Sequence, residues 1–186
     1  RGLPLSGVRI ETPAAAITAT SLRASWNPYS VLTGSFYLSE LDIASLTVTL
    51  TSDPDSPPLE TGDIIALLSI PALPVNIAIG ELAANNISID TGQAISIQQL
   101  RASVALNGQE VLVDELHLDM NNLSLDLGLQ AQLRGDIPLL ASVNWEYQGA
   151  LFADYSLAVG TAAVTGDLRE LRIQHELLAP EAIHSE

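Results

Sequence analysis

Residues 123–133 read Leu-Ser-Leu-Asp-Leu-Gly-Leu-Gln-Ala-Gln-Leu. Leu123, Leu125, Leu127, Leu129, Ala131 and Leu133 alternate with Ser124, Asp126, Gly128, Gln130 and Gln132. Successive side chains of a strand point to opposite faces, so this period of two describes a half-buried strand. The phrase that contains its start, Asn-Asn-Leu-Ser-Leu-Asp-Leu-Gly at 121–128, has a near copy at 85–92, Asn-Asn-Ile-Ser-Ile-Asp-Thr-Gly. One copy is an ordinary strand. Two copies point to a repeating architecture.

The same period extends in both directions. It recurs at Ile87-Ile89, Ile95-Ile97, Leu100-Ala102-Val104-Leu106 and Val111-Val113, then at Ala141-Val143-Trp145-Tyr147 and Leu151-Ala153-Tyr155-Leu157-Val159. Asn107-Gly108 is a two-residue hairpin signal, and Asp90-Thr91-Gly92 marks another turn. A second pattern is more specific. Leu41, Ile43, Leu46 and Val48 stand at offsets 0, 2, 5 and 7, as do Ile77, Ile79, Leu82 and Ala84, and Ile95, Ile97, Leu100 and Ala102. The step of three reverses parity, which would turn the apolar face outward unless a bulge or corner restores it. Recurring corners bend a sheet repeatedly the same way. Residues 51–62, acidic and proline-rich, read as a loop. Asp63 then caps a predicted short helix near 63–69, which Pro71 and Pro74 stop.

Composition narrows the function classes. The chain is 47% hydrophobic but only 4% aromatic, so its apolar faces are built from Leu, Ile, Val and Ala. Its net charge is −15, and all seven basic residues are arginine. Such a chain repels nucleic acid, whose binding needs cations against phosphate, and is not drawn to anionic lipid surfaces. Any dealing with lipid has to run through apolar contacts. The lack of cysteine excludes disulfides and thiolate metal sites. An opening Arg1-Gly2-Leu3, without Met, predicts a piece of a longer protein. The longest apolar run, Ile64 to Ile79, contains Pro71, Pro74, Ser69 and Asn76 and is too short and broken to span a bilayer.

About ten to twelve strands of ordinary length fit the pattern, almost without covering helices. An apolar sheet face has to be buried, in a sandwich, a barrel or a trough. The aliphatic stripe by itself leaves sandwich and trough both open. A trough exposes more apolar area than the few hundred Å² a monomer roughly tolerates, and hydrocarbon chains would resolve that exposure. The predicted lining comprises Ile87, Ile89, Ile95, Ile97, Val104, Leu106, Val111, Val113, Leu123, Leu125, Leu127, Leu129, Leu133 and Val143.

Polar candidates read as ordinary surface. Glu115, His117 and Asp119 alternate on one strand face opposite Leu116 and Leu118, and about 7 Å between successive groups is too far to share an ion without a further ligand. Asp53, Asp55 and Asp63 read as an acidic loop rather than a calcium site. His175 shares the parity of Leu171, Ile173 and Leu177, which predicts that it faces the groove. There is no phosphate loop and no nucleophile elbow, so no cofactor and no catalysis are expected.

The order of several phrases carries a resemblance. Trp26-Asn27-Pro28-Tyr29-Ser30-Val31-Leu32-Thr33-Gly34 resembles the W-x-P-x-x-L-L-x-G phrase in the N-terminal part of TamB proteins. Leu38 through Leu50, the acidic loop, Pro71-Ala72-Leu73-Pro74-Val75, and Leu133-Arg134-Gly135-Asp136-Ile137-Pro138-Leu139 running on to Trp145-Glu146-Tyr147 resemble the later stretches of that region, in the same order. The resemblance implies an all-β fold: an elongated, curved, antiparallel or mixed sheet forming an open U-shaped apolar groove, a β-taco, with 1–186 as one segment of a longer periplasmic structure. It implies a place in the periplasm of a Gram-negative envelope, anchored in the inner membrane by an N-terminal helix outside this chain. The implied function is a conduit for phospholipids between inner and outer membrane, as in the wider AsmA-like group. The alternatives are a chaperone-like groove for outer-membrane proteins and autotransporters, or a sealed structural sandwich. Contact with a TamA-type outer-membrane barrel would fall to other parts of the protein. Strands about 4.8 Å apart give such a segment a length of about 50 Å.

Overall fold

A computed structural model of the chain describes residues 2–11, 15–50, 65, 75–90, 94–152, 155–179 and 183–185. Twelve strands account for most of them: β1 (Gly2–Glu11), β2 (Ala15–Trp26), β3 (Ser35–Ile43), β4 (Leu46–Leu50), β5 (Asn76–Asp90), β6 (Ala94–Asn107), β7 (Glu110–Met120), β8 (Leu123–Gln132), β9 (Leu139–Phe152), β10 (Tyr155–Gly166), β11 (Leu171–Ala179) and β12 (Ile183–Ser185). A 3-10 turn covers Pro28–Thr33. All strands belong to one sheet, ordered β1-β2-β3-β5 and then sequentially to β12. β4 continues the line of β3: both run antiparallel to β2 and parallel to β5. Those two parallel pairings make an otherwise antiparallel sheet mixed. The predicted loop at 51–62, and the predicted helix near 63–69 apart from a helical Ile65, lie outside the described residues.

Steps of three recur across the sheet, those predicted at Ile43–Leu46, Ile79–Leu82 and Ile97–Leu100 among them, and five of them line up from strand to strand. Leu5 to Val8 in β1, Ala19 to Leu22 in β2, Ile43 to Leu46 across β3 and β4, Ala84 to Ile87 in β5 and Ile97 to Leu100 in β6 are register partners in turn. Because neighbouring strands carry the same two-residue insert at the same level, the ladder resumes beyond it with both parities flipped together. Gly7 (φ 64) and Asn86 (φ 51) take the left-handed conformation within this row. Further steps, Leu38 to Leu41 beside Ile79 to Leu82, and Val113 to Leu116, lie nearer the other strand ends. There the partners of Ile79 and Leu82 on β6, Val104 and Ala102, are only two apart, so the insert is a true bulge of one strand against another.

Register corrects two local readings and separates two like phrases. The two Asn-Asn phrases do different jobs: Asn121-Asn122 is the turn joining β7 to β8, whereas Asn85-Asn86 is a corner inside β5. The hairpin at 107–110 pairs Asn107 with Glu110, so Gly108 and Gln109 are its central residues, with Gly108 at φ 65. On β10 a register shift between Tyr155 and Leu157 moves the apolar face to Ala158, Gly160, Ala162 and Val164, leaving Leu157 exposed.

Burial distinguishes this sheet from a sealed sandwich. The buried hydrophobic residues among those described are six alanines and three isoleucines: Ala19, Ala84, Ile87, Ile97, Ala102, Ala131, Ile137, Ala141 and Ala158. Among the described residues no large side chain is fully enclosed and no polar one is buried. Each strand touches its ladder neighbours, and no second sheet lies across the apolar face among the described residues. Among the described residues the ladder runs from β1 to β12 without closing. The nearest thing to a core is Ala84, Ile87 and Ile97 beside the first row of corners, packed by Ile43, Leu46, Ile89, Leu100, Leu118 and Met120.

Candidate functional site

Directly paired residues of an antiparallel ladder share a face, so the registers trace the lining strand by strand. Ile87 pairs with Ile97 and Ile89 with Ile95 between β5 and β6. Val104 pairs with Val113 and Leu106 with Val111 between β6 and β7. Val113 then meets Leu129, Leu116 meets Leu127, and Leu118 meets Leu125 on β8. Leu123, Leu125, Leu127 and Leu129 meet Tyr147, Trp145, Val143 and Ala141 on β9. The predicted lining residues therefore belong to one face, with one exception. Leu133 lies past the end of β8, where its N–H donates to the Gln109 carbonyl at 2.7 Å, tying two turns of the rim together. Ile95, near the opposite ends of the strands, is on the face but exposed.

The face reaches further than the sequence pattern indicated. Through β3 and β4 it continues to Leu22, Ala19 and Ile17 on β2 and to Leu5, Val8 and Ile10 on β1. Among the described residues, no Asp, Glu or Arg has its parity. Its leucines from 123 to 129 are half-buried, neither enclosed nor fully in water. Their ladder partners on β7 and β9 are aliphatic apart from Trp145 and Tyr147.

One polar constellation interrupts the aliphatic lining. His175 lies on the apolar face with the parity of Ile173 and Leu177, opposite Ala162, while Gly160 lies between Trp145 on β9 and Leu177 on β11. The Trp145 ring stacks on the His175 ring, centroids 5.8 Å apart and planes 10° apart, and the indole N–H donates to His175 Nε2 at 3.2 Å. The indole lies across Gly160, where a Cβ would stand 2.5 Å from indole Cζ2. Glycine thus lets one aromatic side chain reach across β10. The signal in the sequence was the pairing of a lone Trp with a small residue on the next strand, visible only once register is known.

The opposite face carries the other titratable candidates. His117 pairs across the ladder with Asp126. Its Nδ1 lies 2.6 Å from Asp126 Oδ1, and its Nε2 lies 3.2 Å from Asp119 Oδ2. The Asp126 hydrogen bond chiefly raises the His117 pKa above its ordinary 6.5, burial opposes the rise, and Asp119 adds to it. Glu115 does not join them, because its φ of 51 makes it the bulge residue of β7. No group of three His, Asp or Glu among the described residues is arranged to hold a metal ion. The cluster is a hydrogen-bonded clamp between β7 and β8 on the polar surface.

Among the described residues no helix is long and apolar enough to cross a membrane. A family model described as TamB, N-terminal domain, matches residues 62–184. The Trp26–Gly34 phrase lies before that span, and the phrases at 71–75, 133–139 and 145–147 lie within it. No curated protein and no solved structure matches the chain.

Proposed function

Since the chain belongs to the TamB family, we propose that its apolar face is one stretch of a periplasmic conduit along which phospholipids pass between the inner and outer membranes. One observation carries the reading. A mostly aliphatic face, without Asp, Glu or Arg among the described residues, crosses the sheet with most of its large side chains half-buried or exposed. Leaving Leu and Ile half in water forfeits stabilisation that a sealed fold would gain, at about 25 cal/mol per Å². An acyl chain lying on the face recovers it, gaining about 0.8 kcal/mol per methylene removed from water. The same aliphatics offer no hydrogen bonds, so contact holds the chain without fixing it at one place. Carriage of this kind needs no catalysis and no cofactor, and the polar lipid headgroup stays at the open side.

The test is direct. Chain purified from bacteria is examined by native mass spectrometry, where bound phospholipid is expected. Leu125→Glu with Leu127→Glu places two carboxylates on the face beside Trp145 and Val143 and is expected to abolish that loading and to impair lipid transport in cells. Unchanged loading and transport would sink the proposal. Photo-crosslinkers at the same positions separate lipid from an extended outer-membrane polypeptide, the cargo a chaperone-like groove would hold.

A further inference from the structure

Half of the aromatic residues of this chain fall in one short stretch: Trp26, Tyr29, Phe36 and Tyr37, against Trp145, Tyr147, Phe152 and Tyr155 elsewhere. The same stretch, Trp26 to Leu38, contains no charged residue in a chain of net charge −15. Within it the 3-10 turn holds apolar side chains out in water. Leu32 is 83% exposed and Tyr29 74%, with Val31, Trp26 and Tyr37 also exposed.

The turn is built firmly. The Asn27 side chain accepts from the Tyr29 N–H at 3.1 Å, and the Ser30 hydroxyl donates to the Asn27 carbonyl at 2.7 Å. Gly34, at φ 74, closes the turn with its N–H on the Val31 carbonyl, and its own carbonyl accepts from Asn76 at the start of β5. The Tyr37 carbonyl accepts from the Asn27 N–H at 3.4 Å. Exposed Leu and Tyr on a floppy end would say little. Here several hydrogen bonds fix the turn that carries them.

We propose that this turn is a membrane-interface anchor, dipping Tyr29, Val31 and Leu32 into the surface of a neutral lipid bilayer. Tyr and Trp suit that zone because each joins an apolar ring to a polar handle, and Leu and Val supply the buried tip. A protein partner fits less well. A stable interface takes about 800 Å² per side with a polar rim, and a six-residue turn without charge supplies neither. The turn is also continuous with the apolar face. Trp26 pairs with Leu38, and Phe36 with Ile77, on the groove side, and the Trp26 and Phe36 rings pack with centroids 6.0 Å apart. An acyl chain leaving a bilayer at Leu32 would meet Trp26 and Phe36 and then the groove, without crossing a charged residue.

That last support rests on the lipid reading of the groove; vesicle binding by the turn does not. The experiment uses the full chain with Trp145→Phe, so that Trp26 alone reports fluorescence. It is mixed with phosphatidylcholine vesicles, some carrying brominated acyl chains. The expected result is co-sedimentation and quenching of Trp26 by the brominated lipid. Tyr29→Ser with Leu32→Ser, whose exposed sites leave folding unchanged by circular dichroism, should weaken binding by about tenfold. Added phosphatidylglycerol should weaken it too, because like charges repel. No quenching, undiminished binding by the double variant, binding that requires the anionic lipid, or crosslinks from position 32 in cells that reach protein rather than lipid would each overturn the proposal. If Leu125→Glu with Leu127→Glu empties the groove and vesicle binding stays, the anchor and the conduit are separate properties. If the anchor test fails while lipid loading persists, only the anchor is lost.

Discussion

Ile137 is 2% exposed and holds φ at 58. A β-branched residue in the left-handed region carries strain of about 1–2 kcal/mol. Its turn is fixed from several sides. The Ile137 N–H donates to the Arg134 carbonyl at 3.1 Å, the Gln132 N–H to Pro138 at 2.9 Å, and the Leu168 N–H to Asp136 at 3.0 Å. Burial of the side chain outweighs the strain, and this predicts an inverted order of variants. Ile137→Ala removes the side chain and keeps a Cβ in the strained conformation, with an expected loss of about 2–4 kcal/mol. Ile137→Gly removes the same packing but relieves the strain, so it should be the more stable of the two by about 1 kcal/mol, the reverse of the usual alanine advantage. Urea denaturation of both variants decides this, and an alanine variant that equals or exceeds the glycine one would refute it. Residue type made some of these positions legible and not others. Asn86 is a type that tolerates left-handed backbone, and it stands at a step of three. Glu115 and Ile137 carry no such mark, because their conformations are imposed by neighbouring strands rather than by their own preference.

At the scale of elements, β7 and β8 show what alternation reveals and what it hides. Their apolar partners followed from period two, since parity alone assigns the face. The clamp of His117 onto Asp126 did not, because it depends on register, which parity does not fix. For the same reason the two Asn-Asn phrases looked equivalent. Both precede alternating aliphatics, but only Asn121-Asn122 has a strand of opposite direction before it. Lost parity on β10 had a similar cause, an irregular pairing between Tyr155 and Leu157 that no composition rule marks. The clamp makes a pH prediction. Bonding to Asp126 raises the His117 pKa in the folded state above 6.5. A raised folded pKa means that the proton binds more tightly to the native chain. The clamp therefore contributes fully below pH 6.5 and its contribution fades as pH rises through the folded value. The effect is small because the His117 side chain is 37% exposed and water screens the pair. Denaturation midpoints across this range should fall more in the native sequence than in His117→Asn. Parallel profiles would show that the clamp does nothing for stability.

The whole molecule is a sheet without a second layer among its described residues, and its stability has to reflect that. Three buried isoleucines and six alanines among the described residues are a thin core for twelve strands, while the half-buried leucines of β8 stay in partial contact with water. Ladder hydrogen bonds between neighbours hold the strands, but each such bond adds only about 1 kcal/mol net. A net charge of −15 further opposes compaction. A ligand that covers the apolar face should therefore stabilise the fold markedly, since anything that binds the native state alone raises apparent stability by mass action. Stripping co-purified lipid with detergent should lower the melting temperature, and returning phospholipid should restore it, with a shift that grows with lipid concentration. At roughly 100 times the dissociation constant the gain is about 2.7 kcal/mol. Leu125→Glu with Leu127→Glu should remove most of the shift while retaining strand content by circular dichroism. Salt gives the control. Screening of the net charge raises the melting temperature of loaded and stripped chain alike, whereas hydrocarbon contact acts only where the face is intact. A stripped chain that melts at the same temperature as the loaded one would mean that the face is already sealed by the protein itself.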